Sequence, residues 1–475
     1  MSIKDKHFEY IESDITDSLE QLKNKIKLDI SGSCWHKDEV YQAIDSQIEI
    51  EKKKTTEDKI AQPLSGLTIG VKDLFCVKGM TTTAGSRILE DFKSPYDSTV
   101  WSRLKDKGCV LSVKCSMDEF AMGSFSNTSF LGRTSIPGKP DYSAGGSSGG
   151  SASSILAGLC DFSIGSDTGG SVRQPASFCG LVGYKPSYGA FSRFGMISYA
   201  SSLDQAGFFT KTVEDLQYLI SSQIAHRDLH DMSCVGLGSY KKTAKKIKKV
   251  GYFKEILEHS GIDDSVKIAY KKTLDDLVGA GVELSPVKIE YMDKAAEIYY
   301  IIACSEASSN LSRYQGVYFG KKLIDEEKFD TYAETISHYR SKYLGIEVQK
   351  RIMLGSFILS AENFTAMYIK AKLMREALKS SLEKALSMVD TIVLPVSPTV
   401  ALKWTEIETM TSAQIYMADF MTVPFSLAGV PAISLPWQKN ENDMDIGMQF
   451  IGKQFSDYEL IDSLLLLEKT IGKGI

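Results

Sequence analysis

The sequence predicts an α/β protein built around one large sheet, and three observations support that. Short apolar runs bounded by Gly, Pro and Ser alternate with longer stretches of helical periodicity. The alternation continues from Leu67 almost to the C-terminus without an internal repeat or a clear linker. A composition of 43% hydrophobic and 24% charged residues over 475 positions supplies enough apolar material for an extensive core. The expectation is therefore a single domain over residues 1–475. It has an N-terminal helical arm over 1–60 and a more variable helical region over about 211–345.

In chain order, the arm is polar and amphipathic, with Asp17 to Leu28 carrying apolar residues at helical spacing. From Leu67, "LTIGVKDLFCV" reads as a strand, and "STVWSRLKDKGCVLSVKC" as a helix and a strand joined by a turn at Gly108. A helix is expected from near Gly149, presenting Ser151, Ala152, Ile155 and Ala157 with little bulk, as close packing against a sheet requires. The lysines between Lys241 and Lys249 read as a solvated lead-in to the strand "VGYF". A helix from Asp263 to Ala280 follows and is stopped by Gly281. "VDTIVLPVSP", "PAISLPW" and "IGMQFIG" are further strands, and a closing helix takes Ser456 as its N-cap.

The net charge of −5 gives no global reason to bind a polyanion, so any nucleic acid is expected to be handled by a partner. The eight cysteines are scattered, with no zinc spacing, and read as reduced core residues. The first residues lack an apolar signal region, and no apolar run is long enough to span a bilayer. A cytoplasmic protein is the expectation, or one of an organelle matrix reached without an obvious presequence.

The stretch "YSAGGSSGGSASS", Tyr142 to Ser154, has the composition of a flexible linker, a phosphate cradle or a catalytic loop. A linker does not lead into small apolar residues and a second Gly/Ser cluster, as this one does. A P-loop needs a lysine after its glycines, and none follows. In the second cluster, "GSDTGGSVRQP", successive glycines let several N–H groups converge beside the hydroxyl of Ser171, the makings of an oxyanion hole. A nucleophilic serine needs a base. All six histidines lie in polar surroundings far away in sequence, and His226 and His230 read as a helix surface rather than a metal site. Lys72, isolated in the apolar run "IGVKDLF", fits instead, because a buried lysine loses its proton readily.

The stretches "GVKD", "GGSSGGSA" and "GSDTGGSVRQPA" resemble the motifs of the amidase signature family, with 75 positions from Lys72 to Ser147 and 24 from there to Ser171. The resemblance implies the amidase signature fold, a central mixed sheet covered on both faces by helices. It also implies a Ser-Ser-Lys triad: Ser171 as nucleophile, Ser147 as bridging serine after a cis peptide, and Lys72 as base. Thr168, Gly169 and Gly170, with Ser171 itself, become the oxyanion-hole backbone, and Asp167 and Arg173 support that loop. Other stretches are similar to one branch of the family, the glutamine-hydrolysing subunits of Glu-tRNA(Gln) amidotransferases. They are "MDEFAMGS", "YYIIACSEASSNLSRYQGVYFG", "KRIMLGSFILS", "DFMTVPFSLAGVPAISLP" and "GMQFIGKQF".

By position in those motifs, Arg351 takes the α-carboxylate of glutamine, Asp419 its α-amino group, and Tyr299 lines the pocket. The branch further implies no metal or cofactor in this chain. Ammonia passes to a partner B subunit, which uses ATP and magnesium to amidate Glu-tRNA(Gln), and a small C-type subunit completes a heterotrimer. Leu74 and "PDYSAGG" depart from the usual pattern, which bears on pocket shape rather than on reacting groups. Two other readings use the same residues: a stand-alone hydrolase of a small amide, and an inert scaffold, against which the intact Lys72, Ser147 and Ser171 speak.

Overall fold

The apolar runs form strands in the computed structural model, which describes residues 1–317, 319–321 and 329–472. Tyr318 of the branch motif, and the parts of the single-domain expectation at 322–328 and 473–475, lie outside the described residues. In chain order the strands are β1 (Cys34–Trp35), β2 (Thr68–Lys72), β3 (Val110–Cys115), β4 (Ser135–Ile136), β5 (Lys139–Ser143), β6 (Phe162–Asp167) and β7 (Val182–Lys185). They continue with β8 (Gln205–Thr210), β9 (Lys249–Tyr252), β10 (Glu283–Pro286), β11 (Thr391–Pro395), β12 (Ala432–Lys439) and β13 (Asp445–Ile451).

Eleven of these make one sheet in the order β1-β3-β2-β6-β8-β7-β12-β13-β11-β9-β10, while β4 and β5 pair separately. The sheet is mixed: β3, β2 and β6 run parallel to one another, as do β11, β9 and β10. The pairs linking β6 to β11 through β8, β7, β12 and β13 are antiparallel. Every residue of β2, β3, β6, β7, β8 and β11 is buried, which a sheet achieves only with cover on both faces. The helix Gly149–Leu156 packs on β2 and β6, Arg173–Phe178 on β7, β12 and β13, and Asp264–Gly279 on β11, β12 and β13. The eight cysteines are all buried and free.

Some local readings need correction. Only Thr68–Lys72 of "LTIGVKDLFCV" is strand. The chain turns at Asp73, whose buried carboxylate pairs with Lys114 at 2.9 Å and accepts the Thr83 amide at 2.9 Å. Ser456 stands at the N-cap of the last helix, as expected, but its hydroxyl donates to the Lys453 carbonyl at 2.7 Å instead of capping the helix amides. His226 and His230 lie in irregular chain rather than on a helix. There Asp228 turns the backbone by accepting the His230 amide at 3.0 Å.

Candidate active site

Lys72 ends β2 and Asp167 ends β6, so two parallel neighbours deliver both residues to the carboxyl edge of the sheet, where α/β proteins place their ligands. The chain from Gly145 to Ser148 enters the helix Gly149–Leu156 above them. The helix can sit this low because its residues from Gly149 to Ser154 are small, and all of them are buried. The peptide between Gly146 and Ser147 is cis.

Lys72 is 0% exposed. Its Nζ lies 2.8 Å from Ser147 Oγ, 2.7 Å from Ser148 Oγ and 2.9 Å from Ser166 Oγ. Burial lowers its pKa to about 7, against the pull of Asp118, Asp167 and Asp204. A neutral amine has two N–H donors and one lone pair, so three hydroxyl partners satisfy it fully. Ser148 gives its own proton to the Ser166 carbonyl at 3.1 Å and therefore only accepts from Lys72. Ser147 and Ser166 are left as the hydroxyls able to give a proton to the neutral amine.

The loop after β6 is held by ionic contacts rather than by secondary structure. Asp167 accepts the Gly170 amide at 2.9 Å, the Val172 amide at 3.2 Å, and Arg173 through Nε at 3.1 Å and Nη2 at 3.0 Å. Arg173 fills its remaining donors with the Thr422 carbonyl and Gln449 Oε1, both at 2.9 Å, and Ser426 Oγ at 2.8 Å. All five guanidinium donors thus have an acceptor in a fully buried site. Burial acts to raise the Asp167 carboxyl, but Arg173, with Lys185 and the Val172 amide, holds the group below its ordinary value.

Of the amides expected to line an oxyanion hole, that of Gly170 donates to Asp167 at 2.9 Å. Gly170 has φ +137°, and a Cβ there would collide with the Thr422 hydroxyl. A Cβ at Gly169 would lie 2.8 Å from the Tyr299 ring. Ser171 is half-buried between fully buried neighbours, so its hydroxyl is the loop's accessible nucleophile candidate.

Tyr299 is thereby placed directly on the Ser171 loop. Arg351, on the helix Ile346–Ile358, is 3% exposed, and its Nε reaches Glu347 at 2.8 Å and its Nη1 the Tyr199 hydroxyl at 2.9 Å. Its guanidinium lies 5.2 Å from the Tyr300 ring centre and 5.6 Å from those of Tyr199 and Tyr416. Such an aromatic cage keeps a cation fixed and poorly hydrated. Asp419 is half-buried; it accepts Ser124 Oγ at 2.8 Å, and its carbonyl accepts the Thr422 amide at 3.0 Å. Burial raises its carboxyl to about 7, opposed by Ser124 and Arg351. Among the described residues, no group of three or more His, Cys, Asp or Glu could hold a metal ion.

Sequence reasoning missed the partners that hold these groups. Ser148 and Ser166 lie inside the quoted motifs, and Ser124 lies inside "MDEFAMGS", but nothing in the spacing marks which serine of a cluster faces a lysine. Asp204, which accepts the Thr168 hydroxyl at 2.7 Å, and Tyr199 come from a segment without a recognisable motif.

A family model described as Amidase matches residues 18–461. The chain is 41% identical over 408 residues to the A subunit of the glutamyl-tRNA(Gln) amidotransferase of Acinetobacter baumannii (strain AYE), covering 84% of this chain and 82% of that protein. It is 41% identical over 421 residues to the protein of the same name from Microcystis aeruginosa, covering 86% of each. The crystal structure of the glutamyl-tRNA(Gln) amidotransferase A subunit from Thermotoga maritima superposes with a TM-score of 0.72 at 38% identity, over 86% of this chain and 83% of that one. A structure titled amidase superposes with a TM-score of 0.79 at 26% identity over 98% of both chains. No helix among the described residues is long and apolar enough to cross a membrane.

Two stability measurements test the electrostatics. Lys72 holds its proton up to about pH 10.5 when unfolded but only to about pH 7 when folded, so between these values the unfolded chain binds the extra proton and stability rises with pH. In urea unfolding, the wild type should gain roughly 4–5 kcal/mol on Lys72→Met across that window, with the gap smallest at the alkaline end if the variant is the more stable. Equal pH slopes for the two proteins would refute the shift. Replacing Arg173 with Met leaves Asp167 buried and unpaired and should cost about 3–5 kcal/mol, read as a lowered urea midpoint.

Proposed function

The chain belongs to the amidase signature family, and from that premise we propose that it is the amide-splitting component of a glutamyl-tRNA(Gln) amidotransferase. The relatives of that name cover most of the chain at 41% identity. The observation that carries the chemical part is Lys72, fully buried with a pKa lowered to about 7 and 2.8 Å from Ser147, below the loop that bears Ser171.

In the proposed reaction, neutral Lys72 takes a proton from Ser147 as Ser147 takes one from Ser171, and Ser171 Oγ attacks the carboxamide carbon of glutamine. The amides of Thr168, Gly169 and Ser171 receive the developing oxyanion. The proton returns through the relay to the leaving nitrogen, ammonia departs, and an ester to Ser171 remains. Water, deprotonated by the same relay, then releases glutamate. Arg351 binds the α-carboxylate and Asp419 the α-amino group, which sets the carboxamide against Ser171 and discriminates against amides lacking either charge.

The ammonia is proposed to serve a B subunit that activates Glu-tRNA(Gln) with ATP and magnesium, with a small C-type subunit joining the pair. A net charge of −5 accords with the tRNA being held mainly by B.

The test is transfer of nitrogen from amide-labelled glutamine to Glu-tRNA(Gln) with ATP, using the chain with its co-purified partners. Label in Gln-tRNA, lost with Ser171→Ala, is the expected result. Ammonia release without transfer, or turnover only of simple amides, would replace this reading with a stand-alone hydrolase. The pH profile adds a finer check. Below about pH 7 Lys72 gains a proton and Asp419 loses its charge, so log kcat/KM for glutamine should rise with a slope of about 2 per pH unit. For Asp419→Asn the slope should fall to about 1, with KM raised at least roughly tenfold.

A further inference from the structure

Glu119 is a buried carboxylate that the proposed chemistry leaves unused. Its side chain receives the Gly345 amide at 2.9 Å on one oxygen and 3.1 Å on the other, and the Ser86 hydroxyl also donates to it. Burial pushes the carboxyl up to about 7, while the Ser86 and Gly345 donors pull it down. Gly345 is the N-cap of the helix Ile346–Ile358, which carries Glu347 and Arg351. From 226 positions away, Glu119 thus does what the third residue of a capping box does locally: it accepts the N-cap amide and sets negative charge at the positive end of the helix. The contact depends on a glycine, since a Cβ at Gly345 would fall inside the Glu119 carboxylate.

The segment on the other side of Glu119 reaches the rest of the site. The Asp118 amide donates to the Ser147 carbonyl at 3.2 Å. The Asp118 carboxylate gathers the amides of Ser126, Asn127 and Thr128 at 2.8 to 3.1 Å, and Thr128 Oγ1 accepts the Glu119 amide at 3.0 Å. Ser124 of the same loop donates to Asp419 at 2.8 Å. Phe120 and Ala121 hold left-handed conformations, with φ of 49° and 60°, which non-glycine residues adopt only where their surroundings impose them. This short loop therefore touches Ser147, Asp419 and the start of the Arg351 helix.

We propose that Glu119 is a positioning residue for glutamine: by gripping the N-cap amide of the Arg351 helix, it registers Arg351 against the loop that holds Ser147 and Asp419. The inference rests on the reading of Arg351 as the residue that binds the glutamine carboxylate. Loss of the Glu119 grip lets the helix start shift, which misplaces Arg351 relative to Asp419 while leaving Lys72, Ser147 and Ser171 where they are.

The experiment is a double-mutant cycle on glutamine affinity, measured by calorimetry in a Ser171→Ala background of the full chain with its co-purified partners. Steady-state KM and kcat are measured for the same changes on the active protein. Glu119→Ala should weaken glutamine binding about tenfold and raise KM correspondingly, with kcat within about threefold. Glu119→Gln, which keeps an acceptor for the Gly345 amide, should recover most of the loss. Gly345→Ala, which keeps the Glu119 side chain but displaces its carboxylate from the amide, should reproduce the loss and serves if Glu119→Ala fails to fold. In Arg351→Gln the Glu119 change should have little further effect, since the two act through one contact. Additive effects, or a fall in kcat at constant KM, would overturn the positioning role. Unchanged affinity in Arg351→Gln alone would instead overturn the reading of the glutamine site.

Discussion

The structure depends on keeping one lysine dry. Lys72 stands at the end of a strand buried on both faces, and its amine meets three serine hydroxyls rather than water or a carboxylate. Desolvation without an ion pair favours the neutral form, and hydroxyls satisfy the neutral amine without restoring its charge. A carboxylate in place of Ser147 or Ser166 would raise the pKa again and keep the amine charged. Asp118, Asp167 and Asp204 all act on Lys72 in that direction, yet each is spent elsewhere. Asp118 holds backbone amides, Asp167 holds Arg173, and Asp204 holds Thr168 with the amides of Tyr199 and Ala200. The dry lysine is therefore a property of the surrounding hydrogen-bond network as much as of depth.

A second buried lysine shows that depth alone is not enough. Lys185 ends β7, is also fully buried, and has a pKa lowered to about 7, first by burial and then by Arg173. Its amine donates to the Pro186 and Val430 carbonyls. A carbonyl accepts and has no proton to give, so Lys185 has nothing to deprotonate and works as a tie between β7 and the loop before β12. What separates a candidate base from a strut at the same pKa is the partner's chemistry.

Much of this was legible in the sequence because the motifs are local. Lys72, Ser147 and Ser171 stand in three short stretches whose strand-to-loop or loop-to-helix context follows from alternating apolar runs and dense glycines. The helix at Gly149 was readable from its small residues, and the strands near the C-terminus from their Pro and Gly borders. The unreadable part depends on long-range contacts. Asp419 and Ser124 lie 295 positions apart, and Glu119 and Gly345 lie 226 apart. Gly170 illustrates a similar point: glycine content predicts flexibility, but the direction of its amide is set by the carboxylate it finds, here Asp167. Ser456 was a plausible cap by residue type, and the Lys453 carbonyl took its hydroxyl instead.

Charge is held in two different ways around the Ser171 loop and around Arg351. Arg173 has all five donors filled, so the Ser171 loop has no spare polar capacity and one favoured shape. Arg351 is held differently, by Glu347, one tyrosine hydroxyl and three aromatic faces. Aromatic faces restrict where a guanidinium sits without consuming its donors, and the proposed reading gives those donors to the carboxylate of glutamine. Asp419 accepts Ser124 on one oxygen, and the proposed reading gives the other to the ammonium of glutamine. Arg351 makes two hydrogen bonds to side chains, whereas Arg173, which shapes the Ser171 loop, has all five donors filled. A zwitterion that meets both Arg351 and Asp419 at once gains more than a neutral amide that meets neither, and that difference can favour glutamine without any change at Lys72.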